Sequence, residues 1–387
     1  MKFIHTADWH LGKLVQGVHM TEDQRFVLDQ LIKAIEQERP DALVIAGDLY
    51  DRAVPPTEAV RLLDDLLAKI VLDMKVPVIA VAGNHDSPGR LDFGSRALKS
   101  NGLHIAGPIR PEFDPVVLSD EAGEVHFHLV PYTDPSMVRH VFEDPDIKTH
   151  DDAMKAMTGR ISAEMDPSAR HVFVGHAFVT PRGEQEDNTS DSERPLAIGG
   201  AEHVSAQHFQ PFHYTALGHL HKAHYVLNET IRYSGSPLKY SISEEHHQKG
   251  FHVVELAADG SVTVDKRLFT AKRDMRSVEG TIAEIMEHER SDDYVFVTLL
   301  DETPVLYPME KVRSVYPNAM HVQRKTFAKE AGESTIGNRR KMDPMQLFNA
   351  FYEEVKRDAP SAETAELFGD VLQEFLQADS EREEVKS

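Results

Sequence analysis

Five short stretches of this chain place possible metal ligands directly after apolar, strand-like runs: Asp8-Trp9-His10, Gly47-Asp48, Gly83-Asn84-His85-Asp86, Gly175-His176 and Gly218-His219-Leu220-His221. Carboxylate, amide and imidazole groups are oxygen and nitrogen donors for a divalent cation. A histidine after one strand is an ordinary polar residue; five such sites in order form a constellation. The set Asp8, His10, Asp48, Asn84, His85, His176, His219 and His221 is too large for one ion. Its central aspartate can bridge two, which points to a two-metal centre with ions about 3.5–4 Å apart and to phosphoryl hydrolysis by an activated water. The mixed donor set suits Mn, Fe, Co or Zn better than Mg or Ca. With no cysteine in the chain, thiolate zinc sites and disulfides are excluded.

Strands must carry these groups to one place. Lys2 to Ala7, Asp41 to Ala46 and Val76 to Ala82 are apolar, β-branched runs of the kind buried on both faces of a sheet. Asp8 and His10, two residues apart, should point the same way from extended backbone, and each strand-ending glycine permits a positive φ and a close approach. Thr21 should cap a helix to about Glu38, Thr57 should open one reaching Leu72, and Pro88 to Lys99 should form a third. Alternating strands and helices imply a parallel sheet with right-handed crossovers.

Further along, Val125 to Val130 alternates as a half-buried strand, and its His126 and His128 read as strand surface rather than ligands. Glu143 to Glu164 is a polar helical excursion. His171 to His176 and His213 to Gly218 repeat the pattern of apolar run, glycine and ligand, and the polar stretch from Thr180 to Gly200 should loop over the site. Ile231 to Pro237, Gly250 to Leu256 and Ser261 to Phe269 should complete a second sheet. The first domain is expected over 1–272, a small basic α+β cap over 273–341, two amphipathic helices over 342–378 and a charged tail over 379–387.

Length and composition set the frame. With 387 residues and 41% hydrophobic content the chain can bury cores for two or three domains. No apolar run is long enough to cross a bilayer, and the opening strand runs straight into Asp8, unlike a signal peptide, so a cytoplasmic protein is expected. A net charge of −22 argues against binding nucleic acid through the whole surface. Lys311, Arg313, Arg324, Lys325, Lys329, Arg339, Arg340 and Lys341 nevertheless form a basic island, in which Arg324, Lys325, Arg339, Arg340 and Lys341 are candidate DNA contacts.

Taken together, D-x-H, G-D-x-x-D, G-N-H-D, G-H and G-H-x-H resemble the motifs of the calcineurin-like metallophosphoesterases. The flanks in Asp8-Trp9-His10-Leu11-Gly12, Gly47-Asp48-Leu49-Tyr50-Asp51-Arg52 and Gly83-Asn84-His85-Asp86-Ser87 resemble the nuclease branch, the SbcD-type subunits of bacterial nuclease–ATPase complexes. That resemblance implies an α/β fold, a two-sheet sandwich flanked by helices with a small α+β cap and a C-terminal helical pair. It implies one metal ion on Asp8, His10, Asp48 and His221, a second on Asp48, Asn84, His176 and His219, and His85 outside both shells, steering the phosphate or protonating the leaving oxygen. Asp51 is given no catalytic role, since relatives often carry a histidine there.

By the same resemblance the cofactor is a pair of Mn²⁺ ions and the substrate DNA, cut as an exonuclease on double-stranded ends and as an endonuclease on hairpins or single strands. The partner would be an SbcC-type coiled-coil ATPase docked on the last two helices, in a heterotetramer of two nuclease and two ATPase subunits associated with the nucleoid. A homodimer through the N-terminal domain, using the Thr57–Leu72 helix and the helix after Asn84, is expected because their apolar residues exceed what one face can bury, and the resemblance points the same way. Two other readings stand beside it: a cyclic-nucleotide or phosphoprotein phosphoesterase, because the metal site alone does not name a substrate, and a catalytically silent scaffold for the ATPase.

Overall fold

The computed structural model describes residues 1–183, 190–191, 193, 202–325 and scattered positions between 345 and 369. Two six-stranded sheets form the body. In the first, Lys2–Thr6, Ala42–Ala46, Val78–Val81 and Leu103–Ala106 lie side by side and parallel. The expected helical crossovers appear as Thr21–Glu38 and Thr57–Ala68, the latter prolonged by one wide turn over Lys69–Asp73. The second sheet runs in the order His224–Tyr225, Ile231–Tyr233, Tyr214–Gly218, Arg170–His176, Gly123–Val130, Val116–Asp120.

Side-chain alternation explains why the two sheets stack. Along Ala42–Ala46, Leu43 and Ile45 face the helix layer, while Ala42, Val44 and Ala46 join Phe3, Phe127, Val172, Val174 and Tyr214 in the apolar layer between the sheets. Beyond the second sheet, the helices Pro135–Phe142 and His150–Ala163 pack over Phe173, Leu217 and Tyr233. Every central strand is thus covered on both faces, as its unbroken apolar run requires.

Several local expectations are corrected. Gly250–Leu256 and Val262–Leu268 extend the first sheet, with Gly250–Leu256 antiparallel to Lys2–Thr6 and Lys2 opposite Glu255. Their apolar alternation marks them as strands but carries no information about a neighbour some 250 positions away. Met20, not Thr21, holds the cap position of the first helix, and the Thr21 hydroxyl is buried without a partner. The expected Pro88–Lys99 helix is two short pieces, Pro88–Asp92 and Ser95–Leu98, broken where Gly94 adopts φ 75°. His128 is not strand surface: it is buried, and its Nε2 lies 3.0 Å from His171 Nδ1.

After Leu268 the chain builds a smaller parallel sheet of Met275–Gly280, Tyr294–Leu299 and His321–Arg324, with helices Ile282–Met286 and Pro308–Val315 and a core of its own. Thr281 and Glu284 close a reciprocal capping box at the first of these helices. Buried Asp23 accepts from Arg273 Nη1 and from the Tyr294 hydroxyl, each at 2.8 Å, and so ties this unit to the first helix. The chain divides by compactness into 1–325 and 326–387. Most of the expected C-terminal helical pair lies outside the described residues; within it, the Phe348 and Phe368 rings stack at 4.0 Å. No helix among the described residues is long and apolar enough to cross a membrane.

Candidate metal centre

The two sheets bring the ends of Lys2–Thr6, Ala42–Ala46, Val78–Val81, Arg170–His176 and Tyr214–Gly218 together, and the loops that follow interlock. Asp8 N–H donates to the Gly47 carbonyl at 3.0 Å, and His10 N–H to that of Asp48 at 2.9 Å. To make these bonds Asp8, His10 and Asp48 take φ of 56°, 46° and 51°. Asp8 and His10 are therefore left-handed rather than extended. Such conformations cost an L-residue about 1–2 kcal/mol each and gather at functional sites. The strand-ending glycines act in two ways. Gly47 has φ 93° and backs directly onto the His176 ring, whereas Gly83 is not left-handed but sits where any Cβ would overlap the Asp48 carboxylate.

Around this edge the donor atoms converge. Asp48 Oδ2 lies 3.4 Å from His176 Nε2 and 3.5 Å from His10 Nε2, while its Oδ1 accepts from the His85 backbone N–H at 2.8 Å. His10 Nε2 is 3.0 Å from His221 Nε2, and His176 Nε2 is 2.9 Å from Asn84 Oδ1. Asp8 Oδ1 accepts from the His219 backbone N–H at 2.9 Å, but Asp8 Oδ2 is buried with no partner. Among the described residues three groups meet ligand-set geometry: Asp8 with His10 and His221, Asp8 with Asp48 and His176, and His10 with Asp51 and His85. The His219 ring stands beside them, 5.4 Å from the His176 ring.

Electrostatics make this arrangement hard to explain without cations. Burial, then the neighbouring Asp48 charge, pushes the Asp8 carboxyl well above its ordinary range. Burial foremost also pulls the His10, His176 and His219 imidazoles down, so these rings stay neutral with a lone pair to offer. The His10 and His221 Nε2 atoms, 3.0 Å apart, face one another as two imidazole donors to a shared ion would. The unpartnered Asp8 oxygen, the facing nitrogens and the doubly approached Asp48 oxygen all fit divalent metal.

His85 differs from these residues. It is half-buried, its Nδ1 lies 2.8 Å from the Asp51 carbonyl, and its ring meets His10 edge to face at 4.7 Å. With Nδ1 donating to that carbonyl, a neutral ring keeps its lone pair on Nε2. Asp51 thus contributes its backbone; its side chain pairs with Lys13 at 2.8 Å and stands 3.7 Å from His10 Nδ1.

Residues 1–223 match the family model of the calcineurin-like phosphoesterase. The chain belongs to the calcineurin-like phosphoesterases. Residues 271–356 of this phosphoesterase also match the model described as the type 5 capsule protein repressor C-terminal domain. Over 356 residues it is 33% identical to the SbcD subunit of the SbcCD nuclease of Staphylococcus epidermidis, covering 91% of this chain and 92% of that one, and it belongs to the same family. Among solved structures, a dimetal phosphatase from Danio rerio aligns over 69% of this chain and 96% of its own, with 13% identity and a TM-score of 0.41.

Other groups serve this phosphoesterase centre without standing out in the sequence. Buried Asp86 accepts from the N–H groups of Leu49, Tyr50 and Gly83 at 3.1, 2.9 and 2.9 Å, clamping the Asp48 loop to the Asn84 loop. Burial and Asp48 push its carboxyl up to about 7. Glu193 Oε1 accepts from the His221 N–H at 2.6 Å. Glu244 faces His221 Nδ1 at 3.1 Å and pairs with Lys249 in the interior. Burial opposes a charge on Glu244, yet Lys249 and His221 hold it well below the usual carboxylate range. Asp86 at least lies inside a motif; Glu244, in a polar Ser-Ile-Ser-Glu-Glu run, gives no local signal. Of the candidate DNA contacts, Arg324 ends the last strand of the small sheet and Lys325 follows it, pairing with Glu279 at 2.7 Å, while Arg339, Arg340 and Lys341 lie outside the described residues.

Proposed function

We propose that this phosphoesterase is a two-metal DNA nuclease, with one ion on Asp8, His10, Asp48 and His221 and the other on Asp48, Asn84, His176 and His219. The observation that carries the reading is Asp48 Oδ2, set between His176 and His10 as a bridging ligand would be. Two divalent cations held by these residues, manganese by the family resemblance, would supply an activated water at neutral pH and offset the negative charge of a phosphate. The chain's own residues do the rest. Asp8 and Asp48 furnish the anionic oxygens, the buried imidazoles stay unprotonated, and the Asp51 carbonyl turns the His85 ring so that its Nε2 can contact the scissile phosphate or, when the ring is an imidazolium with both nitrogens protonated, hand a proton to the leaving oxygen.

Kinship with a nuclease subunit of Staphylococcus epidermidis supports a nucleic-acid substrate; DNA, cut exonucleolytically at double-stranded ends and endonucleolytically at hairpins or single strands, is what the family resemblance implies. That kinship also supports partnership with an SbcC-type ATPase, and the family resemblance implies two copies of each in a heterotetramer. The domain reading follows: catalysis in 1–272, a DNA-facing cap in 273–341 and partner docking in 342–378. A groove of about 420 Å³ beside the Thr57–Ala68 helix, lined by Val60, Leu72 and Leu98 and by Phe93, which is 88% exposed, supports a homodimer on that face.

The test incubates a labelled hairpin duplex and a small phosphodiester with the protein and its ATPase, with Mn²⁺ and then with chelator. Metal-dependent cutting of the hairpin is expected. Hydrolysis of the small ester with the hairpin intact would favour the cyclic-nucleotide or phosphoprotein reading, and hydrolysis of neither would leave the silent scaffold.

A further inference from the structure

We propose that Glu244, charge-balanced by Lys249, is a positioning residue that fixes the His221 imidazole in the one tautomer able to bind metal. The proposal rests on the metal-centre reading above and reaches a pair 23 and 28 positions beyond His221. Glu244 is fully buried: Oε1 faces His221 Nδ1 at 3.1 Å and also accepts from the Ser190 hydroxyl at 3.3 Å, while Oε2 takes the Lys249 ammonium. Lys249 Nζ also donates to the His221 carbonyl at 2.9 Å and to Ser236 Oγ at 2.8 Å. One buried ion pair therefore grips both the ring and the backbone of a single histidine.

The chemical consequence follows from donor and acceptor inventory. An ionised carboxylate can only accept, so the proton of the His221–Glu244 contact sits on Nδ1. A neutral imidazole carries one ring proton, and Nε2 is left as a lone pair facing His10 Nε2 across 3.0 Å. Were the proton free to move, the other tautomer would put N–H where the ion belongs. A buried ion pair is costly to assemble and stabilises a fold weakly at best, so its placement against this ring is better explained by orientation than by stability. Carboxylates behind metal-bound histidines act in this way, and their loss typically weakens metal affinity about 10–100-fold.

Two variants test this. Glu244→Asp keeps a buried charge for Lys249 but withdraws the carboxylate by one methylene; Glu244→Gln paired with Lys249→Met removes the charges together, guarding against a lone buried ammonium. The first readout needs no metal: long-range ¹H–¹⁵N spectra of the ring nitrogens in metal-free full-length protein. His221 should be the Nδ1–H tautomer in the wild type and a mixture, or Nε2–H, in the variants. The second is Mn²⁺ titration by calorimetry, where one of two ions should bind about 10–100-fold more weakly in the variants while the other is unchanged. An unaltered tautomer in a folded variant overturns the positioning role, as does unaltered affinity for both ions. A Glu244-dependent tautomer in a wild-type chain that binds no Mn²⁺ would leave the positioning intact and sink the metal reading instead.

Discussion

His10 and His221, 211 positions apart in the chain, hold their Nε2 atoms 3.0 Å from each other in the interior. As neutral imidazoles they can share one proton at most, and protonating both would place two like charges together. A shared cation satisfies both lone pairs at once, and ligands that bind only the folded state stabilise it by mass action. Thermal unfolding should therefore rise with added Mn²⁺ by several degrees over a hundredfold range of concentration and fall again with chelator. A midpoint indifferent to both additions would contradict this account of the pair.

His85→Gln should lower hydrolysis by at least about 100-fold, the ordinary contribution of a positioned acid or base, and leave metal content unchanged. The ring is held by the Asp51 carbonyl and meets His10 edge to face; its ring nitrogen comes within ligand distance of His10 and Asp51 but belongs to neither set built on Asp8. Metal analysis of the purified variant checks this; loss of an ion would make His85 a ligand.

A pH effect follows from a second histidine group, remote from the metal site. His128 is buried, and burial, then His171 and His126, pulls its imidazole down to about 3. The unfolded chain binds a proton near pH 6.5 that the folded chain refuses, so stability falls as pH drops from about 6.5 toward 3 and is fully kept above that window. Between pH 6.5 and 5 this one group costs about 1–2 kcal/mol. Urea unfolding at both pH values should show a smaller loss for His128→Gln than for the wild type; equal losses would mean that His128 is protonated in the fold.

That these donor groups would meet was legible in the sequence because each lies at or just beyond the end of a strand, and a buried parallel strand is written locally as an apolar run. Five stretches separated by up to 211 positions could be grouped on that pattern alone. The backbone at Asp8, His10 and Asp48 was not, since their left-handed φ comes from bonds between two loops that meet only in the fold. Nor was the sheet that receives Gly250–Leu256, whose alternation fits either one. Glu244 and Lys249 were invisible for the same reason: burial gives a glutamate its role, and nothing in Ser241–Glu245 announces burial.

The proposed dimer face should be probed where apolar side chains are exposed. Leu63 is buried within its own fold, so a charge there would disturb folding rather than assembly. Leu72 and Phe93 are 50% and 88% exposed beside the groove. Leu72→Glu with Phe93→Glu should yield a folded monomer by light scattering that still hydrolyses a small phosphodiester. A wild-type chain that is itself monomeric at micromolar concentration would remove the dimer from the account.

Asp48 is the residue on which the two-metal reading turns, because one of its oxygens approaches both His10 and His176. Counting the ions bound per chain by elemental analysis, after loading with Mn²⁺ and removal of excess, tests it most directly. Two per wild-type chain and loss at both positions in Asp48→Ala are predicted. A single ion in the wild type, or an Asp48→Ala variant that keeps two, would contradict it.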